Sequence, residues 1–231
     1  MGTTQTAADK AYAAAKELIL SGELAGGDLI SENALSAQLG MSRTPMRVAF
    51  QRLESKGWLT LYPKRGAVVT PVTAEEKRDV LEARLAIETH SVAAVDPADR
   101  AALRDELLGI TAEQISAAAG RNLTDFAELD VRFHRAIVAR ARNSVLLGFY
   151  DTLRERQQRM VESSVHARVR GRSSDPADPN PDAISGAEQI AAEHDALARL
   201  VASGDFTEFS SVLCAHLEAT HDIHLPAFHR K

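Results

Sequence analysis

The chain has 231 residues, 45% of them hydrophobic and 5% aromatic, with a formal charge of −5 at pH 7. That size and apolar content exclude wholesale disorder and allow one large domain or two modest ones. A single cysteine, Cys214, excludes an internal disulfide framework, and no run of about 18 apolar residues is present to span a membrane.

The charge is uneven along the chain. Residues 1–72 hold 8 Lys/Arg against 6 Asp/Glu, and residues 73–231 hold 19 against 26. This shift places a boundary near Pro71 and directs any polyanionic partner to the N-terminal part. The start, MGTTQTAADK, lacks the basic and apolar regions of a signal peptide, so a cytoplasmic protein is expected.

Residues 7–21 read as a helix, with Tyr12, Ala15, Leu18 and Ile19 at helical spacing. SGELAGGDLI then punctuates through its glycines. SENALSAQLG reads as a second helix, with Ser31 as N-cap and Gly40 as stop. A third starts at Ser42, tolerates Pro45 in its first turn, and runs to Gly57 with Met46, Ala49, Phe50 and Leu53 on one face. WLTLY, PKRG and AVVTPV make a two-stranded hairpin over 58–70. Three helices followed by a hairpin form a winged helix-turn-helix, so 1–72 is the expected DNA-binding domain.

From Thr73 on only helices are expected, at about 73–95, 98–118, 122–141, 143–169, 184–203 and 205–225. The polar, proline-rich RGRSSDPADPNPD, residues 170–182, reads as a loop. The fold class is therefore mainly α, with a C-terminal helical bundle over 73–231.

A helix in the major groove needs small or polar residues at its N-terminal end and cations beside phosphates. Arg43, Thr44 and Arg47 supply these on the first two turns of the third helix. Ser31 at the second-helix start can hold a phosphate. Lys64 and Arg65 form the wing tip, and Gly66 allows close backbone approach. A basic helix alone also reads as an ordinary solvated face; the whole arrangement of helix, turn, helix and wing favours DNA. Arg52 lies two turns further on and reads as structural, and Trp58 reads as core.

The string SENALSAQLGMSRTPMRVAFQRLESKGWLTLYPKRGAVV resembles the DNA-binding domain of GntR-type bacterial transcription regulators. Two positions depart from that pattern. Asn33 stands where arginine is usual, which keeps a hydrogen bond but loses a charge. Val48 stands where glutamate commonly follows the second arginine.

In the C-terminal part, Asp130 and His134 lie at i, i+4 in LDVRFHRAI, on one helix face. His194 lies in AAEHDAL and His216 is 22 residues later, across the Gly204 turn, where antiparallel helices bring the two imidazoles to similar heights. One carboxylate and three imidazoles suit Zn²⁺ or a related divalent ion. On spacing alone, ordinary surface or core histidines remain the alternative. The strings LDVRFHRAIVARARN, AAEHDALARLVASGD and AHLEA resemble the all-helical FCD effector domain of the FadR-like branch of the family, and the count of six helices resembles its VanR-like subgroup. The resemblance implies that Asp130, His134, His194 and His216 bind the metal, with Zn²⁺ first and Ni²⁺ or Mn²⁺ as alternatives.

The resemblance also implies that Arg84, in VLEARLAIE, faces the effector cavity, where a guanidinium fork receives a carboxylate. The alternative is a surface salt bridge to Glu88 at i+4. Asn143 reads as a helix cap, and His90, His166, His221, His224 and His229 as structural or surface residues. The expected protein is a cytoplasmic regulator, probing a palindromic double-stranded DNA operator as a homodimer and responding to a small carboxylate effector, with repression relieved by ligand. An all-helical metal-dependent hydrolase or lyase and a metal sensor are the alternatives. No base or nucleophile motif accompanies the metal set.

Overall fold

The computed structural model describes residues 5–170 and 181–221. They divide into two compact units, one within Met1–Thr73 and Gln158–Ser173, the other within Ala74–Gln157 and Ser174–Lys231. Residues 171–180 of the proline-rich stretch and the chain after His221 lie outside the described residues.

The first unit opens with α1 (Ala7–Leu20). Thr6 and Asp9 form a capping box at its start, each side chain taking the other's backbone N–H, so two otherwise unpaired donors are satisfied. Helix α2 (Glu32–Gln38) is capped by Ser31, whose hydroxyl accepts from the Ala34 amide at 3.1 Å. Helix α3 (Arg43–Ser55) begins after Ser42, which occupies the cap position without a side-chain cap bond. Its end is a Schellman turn: Trp58 N–H reaches Leu53 carbonyl and Gly57 N–H reaches Glu54 carbonyl, both at 2.8 Å. Gly57 supplies the positive φ of 75° that this turn requires. Trp58 then drops into a core of Ala11, Ala15, Met46, Phe50 and Leu53.

The wing is larger than the expected hairpin. Strands β2 (Leu59–Tyr62) and β3 (Gly66–Val69) pair antiparallel, and a third strand, β1 (Leu29–Ile30), pairs with the other edge of β3, in the order β1-β3-β2. Two residues are too few to show a period-2 pattern, so β1 was hidden inside a stretch that reads as glycine punctuation. It also explains Gly66, where a Cβ would come within 2.4 Å of the Ile30 carbonyl oxygen and φ is +108°.

The described residues of the second unit form helices joined by short turns: α4 (Ala74–Ala93), a 3₁₀ turn at Pro97–Asp99, α5 (Arg100–Ala119), α6 (Leu123–Arg140), α7 (Ser144–Arg170), which belongs to this unit up to Gln157, α8 (Pro181–Ser203) and α9 (Phe206–His221). Asn122 caps α6 through the Asp125 amide, and Asn143 caps α7 through the Val145 and Leu146 amides. Leu81, Leu85, Leu103, Leu107, Ile110, Phe133, Ile137, Leu197, Val201, Phe209 and Leu213 form one core shared by α4, α5, α6, α8 and α9. Gly204, with φ of 75°, turns α8 back into α9.

Candidate metal centre and nucleic-acid interface

Helix α6 buries Phe126, Phe133, Ile137 and Val138, and His134 sits within that apolar stripe, fully buried. Asp130 lies one turn earlier on the same side. His194 comes from the middle of α8 and His216 from α9, held at matching heights by the Gly204 turn. Phe133 stacks flat on His194, ring centres 4.0 Å apart at 6°. The three imidazoles form a nearly equilateral triangle, with centroid separations of 5.0, 5.2 and 4.9 Å. One ligand atom from each of Asp130, His134, His194 and His216 lies within 4.8 Å of the others. Asp130 Oδ1 is 3.7 Å from Nε2 of both His134 and His194.

Each ring has its other nitrogen engaged. His134 Nδ1 meets Glu88 Oε2 at 2.7 Å, His194 Nδ1 meets Gln114 Oε1 at 2.7 Å, and His216 Nδ1 meets Glu193 Oε2 at 2.8 Å. All three partners are acceptors, so each Nδ1 carries the proton and each Nε2 keeps its lone pair. His134 and His194 Nε2 are buried without a hydrogen-bond partner among the described residues. Burial pushes His134 well below its ordinary pKa and brings His194 down to about 4, so both rings are neutral at pH 7. Bare, neutral, inward-facing nitrogens beside a carboxylate fit a divalent cation, and the outer acceptors fit the usual support of a metal-bound imidazole.

Arg84 and Glu88 do pair at i+4, but not on the surface. Arg84 is 1% exposed and Glu88 fully buried. Arg84 Nε donates to Glu88 Oε1 at 2.9 Å, and the buried Tyr150 hydroxyl donates to the same oxygen at 2.8 Å. Arg84 Nη2 has no partner among the described residues. Arg154 donates to Asp130 Oδ2 at 3.1 Å and to Gln157 at 2.6 Å. Burial works against the Asp130 charge, but His134, Arg154, His194 and Arg84 outweigh it and hold the carboxyl below its usual range.

Gln114, Tyr150, Arg154 and Glu193 are the neighbours of the candidate site that sequence reasoning missed, and it gives Glu88 only as a surface partner of Arg84. Gln114 left one signal, a polar residue in the buried α5 stripe of Leu107, Ile110, Thr111 and Ala118. His90 is exposed. The side chains of His166 and His221, and the whole of His224 and His229, lie beyond what the structure describes.

In the first unit, Arg43, Thr44 and Arg47 are all exposed on α3, opposite the core stripe of Met46, Ala49, Phe50 and Leu53. Arg47 makes a long contact of 3.4 Å to Glu32. Arg52 is turned the other way: it bonds Asp9 at 2.7 Å and lies 4.3 Å over the Tyr12 ring, tying α3 to α1. Asn33 is exposed on the first turn of α2. Lys64 and Arg65 are exposed at the wing tip, where Lys64 adopts φ of 63° in a turn closed by Arg65 N–H to the Tyr62 carbonyl. A groove of about 250 Å³ runs past Leu29, Ser31, Ala34, Gln38 and Arg65, between α2 and the wing.

Comparison with known proteins adds a family to this geometry. Residues 79–219 match the FCD domain, and residues 7–69 match the description "Bacterial regulatory proteins, gntR family". An uncharacterized HTH-type transcriptional regulator from an unstable DNA locus of Streptomyces ambofaciens is 33% identical over 131 residues, 55% of this chain and 53% of that protein. The gluconate operon transcriptional repressor of Bacillus licheniformis is 29% identical over 157 residues, 68% of this chain and 64% of that protein. The matches thus span between half and two thirds of these relatives' length. The solved structure of E. coli McbR/YncC superposes with a TM-score of 0.64 at 20% identity, covering 94% of this chain and 96% of that one, which is a likeness of fold.

Proposed function

This chain belongs to the GntR family of bacterial regulatory proteins and carries an FCD domain over residues 79–219, and on that premise we propose that it is a metal-containing, ligand-responsive repressor. It is a transcription regulator and not an enzyme. Residues 1–72 read a palindromic operator and residues 73–231 sense a small organic acid, as a homodimer whose two-fold symmetry is mirrored in the DNA. The name of one relative, a gluconate operon transcriptional repressor, supports the sign as repression.

The observation that carries the sensing role is the pair of buried Nε2 atoms of His134 and His194 that face Asp130 without a hydrogen-bond partner among the described residues. Asp130, His134, His194 and His216 would hold the ion, Zn²⁺ first, with Ni²⁺ or Mn²⁺ as alternatives. A divalent ion bound there supplies a Lewis-acidic anchor for a carboxylate. Arg84 offers the organic acid a second, charged contact through its Nη2, which has no partner among the described residues, and its Nε bond to Glu88 fixes the direction of the fork. Arg154 holds Asp130 by the oxygen turned away from the histidines.

On the DNA side, Arg43, Thr44 and Arg47 read bases, while Ser31, Asn33, Lys64, Arg65 and Gly66 meet the backbone. The acid shifts operator affinity only if it binds one arrangement of the dimer better than the other. The test is selection of random duplexes by the full-length protein, repeated with a panel of carboxylic acids. One enriched palindrome, and its release by a particular acid, is the expected result; no sequence preference under any condition would refute the reading.

A further inference from the structure

We infer that Val48 reads the C5-methyl group of a thymine in the operator, as a specificity-determining residue of α3; this rests on the DNA-reading role proposed above for that helix. The core stripe of α3 is Met46, Ala49, Phe50 and Leu53. At about 100° per residue, Thr44, Val48 and Gln51 centre on the opposite face, with Arg47 beside them. All four are exposed, and Val48 is exposed by 39%. Val48 therefore stands one turn beyond Thr44, in the row that a groove-bound helix presents to base edges.

A single exposed apolar residue is ordinary on a surface; the position is what gives this one meaning. A β-branched residue on a helix gives up some helix propensity, and Val48 still leaves 39% of its surface open. It has no charge for a phosphate and no donor or acceptor for a base. The apolar feature on the major-groove edge is the thymine methyl. Arg47, the residue before it, is shaped for guanine O6 and N7, so the pair reads as a guanine contact with a thymine methyl close by.

The test starts from the preferred duplex selected by the full-length protein. Each thymine is replaced singly by deoxyuridine, which deletes only the methyl, and dissociation constants are measured at one salt concentration for wild type and Val48→Ala. One thymine position per half-site should cost the wild type about fourfold in affinity. The same replacement should cost Val48→Ala nothing, and Val48→Ala, which loses the contact in both half-sites, should bind the unmodified duplex as weakly as wild type binds a duplex with deoxyuridine at both positions. Circular dichroism melting should show no loss of stability in Val48→Ala, since alanine is the better helix former. If every deoxyuridine replacement affects both proteins equally, Val48 does not read a methyl, although α3 still reads DNA. If no duplex is enriched at all, the inference falls together with the DNA-reading role.

Discussion

His134 Nδ1–H donates to Glu88 Oε2 at 2.7 Å, with neither side chain exposed to solvent. The same carboxylate receives Arg84 and Tyr150, so one acid joins α4, α6 and α7 around the ligand set. Glu88→Gln should lower metal affinity about 10- to 100-fold, because the outer acceptor sets ring direction and basicity. Glu88→Ala should also cost about 3–5 kcal/mol of stability, since Arg84 is left buried and unpaired. Metal competition titration and urea unfolding measure the two. Unchanged metal affinity in Glu88→Gln would remove Glu88 from the support of the site.

Arg84 separates capture of the effector from capture of the metal. Arg84→Lys keeps a cation but loses the planar fork. With the acid identified by the operator screen, calorimetry should show its affinity falling at least about tenfold, a loss of about 1.4 kcal/mol. Elemental analysis should find the metal content of the variant unchanged. Full acid affinity in Arg84→Lys would confine Arg84 to its ion pair with Glu88.

The two classes of DNA contact should separate in salt titrations. Arg43→Ala or Arg47→Ala should cost about 1–3 kcal/mol of discrimination between operator and random DNA. Lys64→Ala should weaken binding to every sequence and reduce the salt slope by about 1. Operator discrimination equal to that of the wild type in both arginine variants would move base reading off α3.

Asp9 gives a pH dependence confined to the first unit. Its carboxyl is lowered from 3.8 to about 2, chiefly by the Thr6 hydroxyl and then by Arg52. The folded value lies below the unfolded one, so the contribution is complete above about pH 4 and disappears as pH falls toward 2. The gap in melting temperature between wild type and Asp9→Asn should be constant from pH 7 to 5 and narrow below pH 4. A gap that stays the same at pH 3 would mean that the ionised carboxylate contributes nothing there.

The helices were legible because their caps and apolar spacing agree. Thr6, Ser31, Asn122 and Asn143 all place oxygen acceptors on first-turn amides. Asp130 and His134 were legible because i, i+4 fixes a shared face, and His194 with His216 because a Gly204 turn equalises their heights. Strand β1 was not, being two residues long. Neither was the burial of Arg84 with Glu88, since an i, i+4 ion pair has the same pattern inside or outside. Gln114 is 80 residues from His194, and Arg154 is 24 from Asp130. Only packing among α5, α6, α7 and α8 brings those partners together.

Metal content is the most direct test of the sensing site. Full-length protein, expressed without an affinity tag, reloaded with Zn²⁺ and desalted, is analysed for metal per chain beside His194→Ala and His216→Ala. About one ion per chain is expected in the wild type and a small fraction of that in each variant. No retained metal in the wild type, or full occupancy in either variant, would contradict the proposed metal site.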